Sequence, residues 1–162
     1  MKELDIKGYK VLLDDEDYDR VAALKWYVDK STIKKRGKVY FYHGFYYDKK
    51  KKYSMSLQRF LLNLPRGDSL LGDHINGDTL DNRRCNLRAC TVAENTQNMK
   101  MPRTNTIGLK GVSFFKPNGK YRARICVDNK QRLLGYFSTP EEAHEAYCKA
   151  SKELHGEFGR TE

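Results

Sequence analysis

No apolar run in this 162-residue chain approaches the ~20 residues of a membrane-spanning helix. The opening stretch, MKELDIKGYKVLLDDED, lacks the long apolar segment of a secretory signal. The four cysteines (Cys85, Cys90, Cys126 and Cys148) include no C-x-x-C pair, which argues against a cysteine-type zinc site. In a reducing compartment they read as free thiols. These absences make a cytoplasmic protein the expectation, with no membrane partner. Acidic residues are also short, 21 Asp and Glu against 31 Lys and Arg, for a formal charge of +10. Such a surplus points to a polyanionic partner, nucleic acid ahead of an anionic membrane surface. Hydrophobic residues are a modest 39%, enough for small modules sharing small cores. Aromatics reach 12%, with 11 Tyr, too many for a disordered chain.

Three zones follow from local patterning. In the first, Tyr9 to Leu13 reads as a strand. The acids from Asp14 to Asp17 mark a helix start, where the positive end of the helix dipole favours them. Lys25 to Val28 and Val39 to Tyr42 are aromatic and β-branched and read as strands. Lys34 to Lys38 reads as the turn between them. The basic run Lys49 to Lys52 fits either a solvated loop or a phosphate contact. His43 reads as a strand residue, and Ser56 to Leu62 as a short helix. In the third zone, strand signals run over Gly111–Phe115, Tyr121–Val127 and Arg132–Phe137, separated by turn residues. Thr139, Pro140 and Glu142 then form a capping box with proline at the first helical position. Ala143, Ala146, Tyr147, Ala150 and Leu154 share one apolar face, and Gly156 stops the helix. His144 and His155 read as helix surface.

The middle zone carries the chemistry. It contains Asp73-His74-Ile75-Asn76-Gly77-Asp78, then Asp81-Asn82-Arg83-Arg84-Cys85-Asn86-Leu87-Arg88, then Glu94-Asn95-Thr96-Gln97-Asn98. A histidine with a pKa near 6.5 suits a general base at neutral pH. A carboxylate and an amide oxygen suit a hard divalent ion. Asp73 and His74 are adjacent, so on a straight strand they point to opposite faces. Their convergence needs a bend, and Asn76-Gly77 supplies a turn. The residues from Val92 to Met99 read as a short helix bearing Asn95. Asn-Gly and Asp-Asn pairs are by themselves ordinary turn formers. Over Asp73 to Asn98 the order and spacing resemble the HNH endonucleases, especially the phage and intron-encoded homing type.

That resemblance implies a ββα-metal fold and specific roles. His74 would be the general base on water. Asp73 and Asn95 would hold one divalent cation, Mg²⁺ or Mn²⁺, on the scissile phosphate. Asn86 would brace the loop and orient His74. Arg88 is either a phosphate contact or a plain surface arginine. Many relatives have His where this chain has Asn95, which makes the implied metal site oxygen-rich. Relatives also often have His at the position of Gln58.

The third zone resembles the DNA-binding domain of plant ethylene-response factors (the APETALA type). The resemblance is carried by Lys110-Gly111-Val112, Tyr121 to Ile125, Leu134-Gly135-Tyr136-Phe137, Glu141-Glu142-Ala143, Ala146-Tyr147 and Gly156-Glu157-Phe158. In that family a sheet face enters the major groove. Residues 105–135 hold Lys110, Lys116, Lys120, Arg122, Arg124, Lys130 and Arg132, with Asp128 the only acid. Alternation sets Arg122 and Arg124 on one face and Ala123 and Ile125 on the other. Ser113, Phe115, Gln131 and Leu133 stand where the plant family favours Arg and Trp, so its sequence preference does not transfer.

The expected fold is α+β. Its parts are a β-rich segment (1–55), an HNH ββα-metal module (56–101), a linker (102–106), and a three-stranded antiparallel sheet packed on one helix (107–162). The expected activity is metal-dependent hydrolysis of double-stranded DNA by a phage-type protein. One catalytic centre and one reading module suggest monomeric action and nicking, with no small-molecule cofactor. Lys110, Arg122, Arg124, Arg132 and Arg88 are the expected DNA contacts. The competing expectation is a DNA-binding regulator built on an inactive nuclease frame.

Overall fold

The computed structural model describes every residue except Lys49, Lys50, Arg66, Pro102, Arg103, Asn129 and Glu162. It leaves aside the side chains of residues 31, 35, 36, 45–48 and 51–53. Half of the Lys49–Lys52 run, the first two residues of the expected linker, and Asn129 of the expected turn Asp128–Lys130 therefore lie outside the described residues. The fold is mixed α and β, with several small antiparallel sheets and a carboxy-terminal helix. Contacts divide it into two units, Met1–Thr91 and Val92–Glu162. The division falls inside the segment 56–101.

In the first unit, β1 (Lys2–Ile6) and β2 (Tyr9–Leu13) form an antiparallel hairpin. Sequence patterning did not foretell β1, because KELDI carries three charges in five positions. Its partner explains it: Val11 and Leu13 of β2 are fully buried, and β1 needs only Ile6 in the core. Helix α1 (Asp15–Ala22) follows, with Asp15, Glu16 and Asp17 in its first turn. Strands β3 (Trp26–Val28), β4 (Phe41–Asp48) and β5 (Lys51–Ser56) pair in the order β3-β4-β5. Lys34 to Lys38 is not the expected turn. Helix α2 (Lys30–Arg36) occupies most of it. Asp29 sits just before that helix, a position that favours a short acceptor side chain, and Thr32 Oγ1 donates to its carboxylate.

Helix α3 (Leu57–Leu61) then leads to the hairpin of β6 (Leu71–His74) and β7 (Leu87–Cys90). Leu87 of β7 joins the core made by Val11, Leu13, Val21, Trp26, Phe41 and Leu57. The β6–β7 hairpin and the amino-terminal hairpin therefore share one interior.

The second unit begins with α4 (Val92–Gln97). Strands β8 (Val112–Phe115), β9 (Lys120–Val127) and β10 (Lys130–Phe137) pair with β9 in the middle. Helix α5 (Pro140–His155) covers one face. Ala123 is fully buried, in one cluster with Val112 and Ala143. Ile125 is buried with Tyr147 and Ala150. Gly111 allows this seat, because a Cβ there would lie 2.1 Å from the Tyr147 ring. Its φ of 81° also favours glycine. All four cysteines are free thiols. Among the described residues no helix is long and apolar enough to cross a membrane.

The start of α5 is as patterned. Thr139 accepts from the Glu142 N–H at 3.2 Å, and the Glu142 carboxylate accepts from the Thr139 N–H at 3.3 Å. Replacing Thr139 by Ala removes that acceptor and should lower the stability of the second unit by about 1 kcal/mol. Urea denaturation followed by circular dichroism measures it. A midpoint equal to wild type would show that the capping box contributes nothing.

Candidate functional site: the loop between β6 and β7

Loop 75–86 is polar, yet it turns several polar residues inward. Thr79, Asp81, Asn82 and Asn86 are all buried, and so are Asp73 and His74 at the end of β6. Buried polar groups need partners, and those of Asp81, Asn82 and Asn86 can be named. Leu12 in β2 holds the loop by its main chain. Its N–H donates to the Leu80 carbonyl at 2.9 Å, and its carbonyl accepts from the Asn82 N–H at 2.9 Å. Arg83 makes a bidentate pair with Asp81, both bonds 2.7 Å, which holds the Asp81 carboxyl below its ordinary pKa. Arg84 reaches α1, donating to the fully buried Asp17 at 2.8 and 3.0 Å. Its N–H also donates to the Asp14 carboxylate at 2.7 Å.

Asn86 braces the loop from below. Its Oδ1 accepts from the Asn76 N–H at 3.0 Å, and its Nδ2 donates to the Asp81 carbonyl at 2.7 Å. Its main-chain carbonyl accepts from the Ile75 N–H at 2.9 Å. The side chain bonded to the His74 ring is a different one. His74 Nε2 lies 3.1 Å from Asn82 Oδ1. Asn82 is 1% exposed, and its Nδ2 donates to the Thr79 carbonyl at 3.0 Å. Sequence reasoning treated Asp81-Asn82 as turn formers and missed this contact. The signal was the Asp-Asn pair recurring inside a longer motif, where turn propensity alone gives no reason for an asparagine so deeply buried.

Burial pushes the His74 imidazole below its ordinary pKa. The Asn82 bond and the Asp73 carboxylate oppose that shift without overcoming it. The ring is therefore held neutral near pH 7, the form that accepts a proton. Asp73 is paired with Arg88, whose Nη2 and Nε lie 3.1 and 3.2 Å from Oδ2. Arg88 is thus neither a free surface arginine nor presented to solvent; both partners are about nine-tenths buried. Gly72, one residue earlier, admits α3, since a Cβ there would lie 2.6 Å from Gln58 Cγ.

Among the described residues no group of three or more His, Cys, Asp or Glu is placed to hold a metal ion. Asp73 is an oxygen donor of the kind a hard cation takes, although its Oδ2 is already engaged by Arg88. One carboxylate plus an amide oxygen would leave most coordination positions to water, as Mg²⁺ prefers. Asn95 lies on α4, which belongs to the second unit.

The cationic candidates of the second unit separate. Lys110 does not project as a free cation. Its ammonium donates to the carbonyls of Gln97, Met99 and Arg160 at 3.0, 2.6 and 2.7 Å. Burial, with the nearby Arg160 guanidinium, pushes its pKa down to about 8. Arg122 and Arg124 lie on the sheet face away from α5, beside Ser113 and Leu133 in the register. The Arg122 guanidinium sits 5.0 Å over the Phe115 ring. Arg132 pairs with Ile125, so it shares the face of Ile125 rather than that of Arg124. His155 is not helix surface either. It is buried, with Nε2 2.9 Å from the Cys126 carbonyl. His144 Nδ1 lies 3.1 Å from the Lys110 carbonyl.

Comparison with known proteins gives two relatives. Protein 3.8 of Escherichia phage T7 is 36% identical over 97 residues, which is 60% of this chain and 78% of that protein. A protein of Acanthamoeba polyphaga mimivirus, named uncharacterized HNH endonuclease L560, is 27% identical over 156 residues, 94% of this chain and 74% of its own. The second relative's name suggests a nuclease at a distance and matches the motif class read from Asp73 to Asn98. No family model matches the chain. No solved structure matches it.

The depressed His74 pKa has a consequence for stability. As pH falls through about 6.5, the unfolded chain takes up a proton that the folded ring resists, so stability present at higher pH is lost. A His74→Gln variant lacks this loss. Between about pH 7 and pH 5.5 the denaturation midpoint of the wild type should fall further than that of the variant. Parallel falls would mean that burial does not perturb the ring.

Proposed function

The chain belongs to one family with Protein 3.8 of Escherichia phage T7, and we propose that it is a metal-dependent DNA endonuclease of the HNH type. The observation that carries this reading is the contact of Asn82, in loop 75–86, with the buried His74 ring at 3.1 Å, next in the chain to the Asp73 carboxylate. Buried polar loops are costly unless fully paired. A paired polar loop that meets a buried imidazole supports a chemical role for the ring.

The reaction is hydrolysis of a phosphodiester. His74 accepts a proton from water as the water oxygen bonds to phosphorus. The bond from phosphorus to the leaving sugar oxygen breaks, and that oxygen takes a proton from solvent. Asp73 and Asn95 are the residues that would hold one Mg²⁺ or Mn²⁺, which supplies positive charge against the phosphoryl and leaving oxygens. Asn86 keeps the loop in register with β7. Arg88 would contact the phosphate backbone by giving up its pair with Asp73.

DNA is held by the second unit, on the ethylene-response-factor-like sheet face bearing Arg122 and Arg124. Arginine can read guanine bidentately or hold phosphate. Lys110 contributes through the fold, by tying α4 to the carboxy-terminal segment, and Arg132 acts from the edge strand. With one catalytic centre the protein acts as a monomer and nicks.

His74→Ala should abolish cutting of plasmid DNA while leaving binding within about threefold, since the ring contributes a proton acceptor rather than affinity. Cutting at the wild-type rate would remove His74 from the reaction. Arg122→Ala with Arg124→Ala should weaken binding and reduce the slope of log K against log salt by about 2, one for each phosphate no longer neutralised by an arginine. An unchanged slope would move the DNA to another face. The second reading, a DNA-binding regulator on an inactive frame, is favoured by the Arg88–Asp73 pair, which already neutralises the carboxylate. It predicts binding with no divalent-dependent cutting at all.

A further inference from the structure

We propose that Asn82 is the positioning residue for His74, fixing which ring nitrogen carries the proton. The nuclease reading is needed only for the catalytic consequence. The geometry stands by itself. An asparagine amide has an oxygen that accepts and an NH₂ that donates, and its partners decide which end faces where. Here the NH₂ end is committed, since Nδ2 donates to the Thr79 carbonyl at 3.0 Å. Oδ1 is therefore the atom facing His74 Nε2 at 3.1 Å. An amide oxygen can only accept, so Nε2 must carry the hydrogen. In the neutral ring that assigns the basic lone pair to Nδ1.

Asn82 cannot readily turn to serve the other tautomer. Turning the amide so that its NH₂ donates to an unprotonated Nε2 would break the Nδ2 bond and leave the Thr79 carbonyl facing an oxygen. The residue is 1% exposed, so no water replaces either bond. Its backbone is fixed too, through the Asn82 N–H bonded to the Leu12 carbonyl at 2.9 Å. On the other side, His74 is fixed in the β6–β7 ladder opposite Leu87, and its carbonyl accepts from the Gly77 N–H at 2.9 Å. The amino-terminal hairpin thus acts on the ring at two removes: Leu12 holds Asn82, and Asn82 holds the proton on Nε2. This gives a chemical use to a segment that otherwise only fills the core.

The test is ¹⁵N NMR of the His74 ring in the full chain, at a pH where the imidazole is neutral, beside steady-state cutting of plasmid DNA. Wild type should show one tautomer, a protonated Nε2 whose hydrogen exchanges slowly. Asn82→Leu should show a mixture of tautomers with fast exchange, and kcat should fall about 10- to 100-fold with little change in KM. Asn82→Asp loses the donor to the Thr79 carbonyl but keeps an oxygen facing Nε2, so it should restore the single tautomer, covering the case in which the leucine variant does not fold. A wild-type ring protonated on Nδ1, or the same tautomer mixture in wild type and both variants, would overturn the assignment. A locked ring in a chain that cuts no DNA with any divalent ion would overturn its catalytic use and the nuclease reading together. A locked ring whose loss leaves kcat unchanged would overturn the catalytic use alone.

Discussion

Leu12 forms one rung of an ordinary β-hairpin on one side, and on the other its N–H and carbonyl both bond the loop between β6 and β7. Much of the rest depends on that double use. It holds Leu80 and Asn82 at fixed positions, and Asn82 in turn meets the His74 ring. Apolar packing supports the same arrangement, because Leu87 at the far end of the loop is buried with Val11 and Leu13. Arg84 adds a charge-assisted pair to the fully buried Asp17 of α1. Such a pair is weak evidence of net stabilisation, and neither charge depends on it alone, since Asp17 also meets Arg20 at 3.3 Å and Arg84 meets Glu16 at 2.9 Å. The site geometry is thus a property of the first unit's core rather than of a short local motif.

The formal charge of +10 divides into cations used inside the fold and cations left on its surface. Arg83, Arg84 and Arg88 pair with Asp81, Asp17 and Asp73. Arg59 donates to the carbonyls of Leu70 and Pro65, and Lys110 to three carbonyls. The three acid-paired arginines do little for a long-range field, whereas Arg59 and Lys110 keep their charge but hold it against carbonyls. Lys116, Lys120, Lys130 and Arg132 are exposed in the second unit, with Arg122 and Arg124 half-buried beside them. A polyanion would meet this second group, which is why the reading of the sheet rests on face and register rather than on a count of basic residues.

Helix α5 was legible in the sequence because its start and stop are local. Thr139, Pro140 and Glu142 act within a few residues of one another at its start, and Gly156 caps its end. The inward turn of Ala123 and Ile125 was legible for the same reason, since alternation is a property of one strand. What escaped reading depended on distant partners. Asn82 looked like a turn residue until Leu12 and Thr79 were placed around it. Lys110 looked like a DNA contact until the carbonyl of Arg160, fifty residues on, came within 2.7 Å. His155 looked exposed because its partner, the Cys126 carbonyl, lies on a strand rather than on its own helix. Arg132 changes face relative to Arg124 because pairing register, not composition, decides it. Loop 75–86 sits between these cases: its residue types announced chemistry, and its bonding did not.

The central claim is that the buried histidine beside Asp73 hydrolyses DNA with the help of a divalent cation. The most direct measurement is incubation of the purified chain with supercoiled plasmid, with Mg²⁺ or Mn²⁺ and with a chelator in parallel. The account predicts conversion to nicked circles in the presence of the ion and intact supercoils with the chelator. Intact supercoils under both conditions, from a protein that retards the same plasmid on a gel, would contradict it.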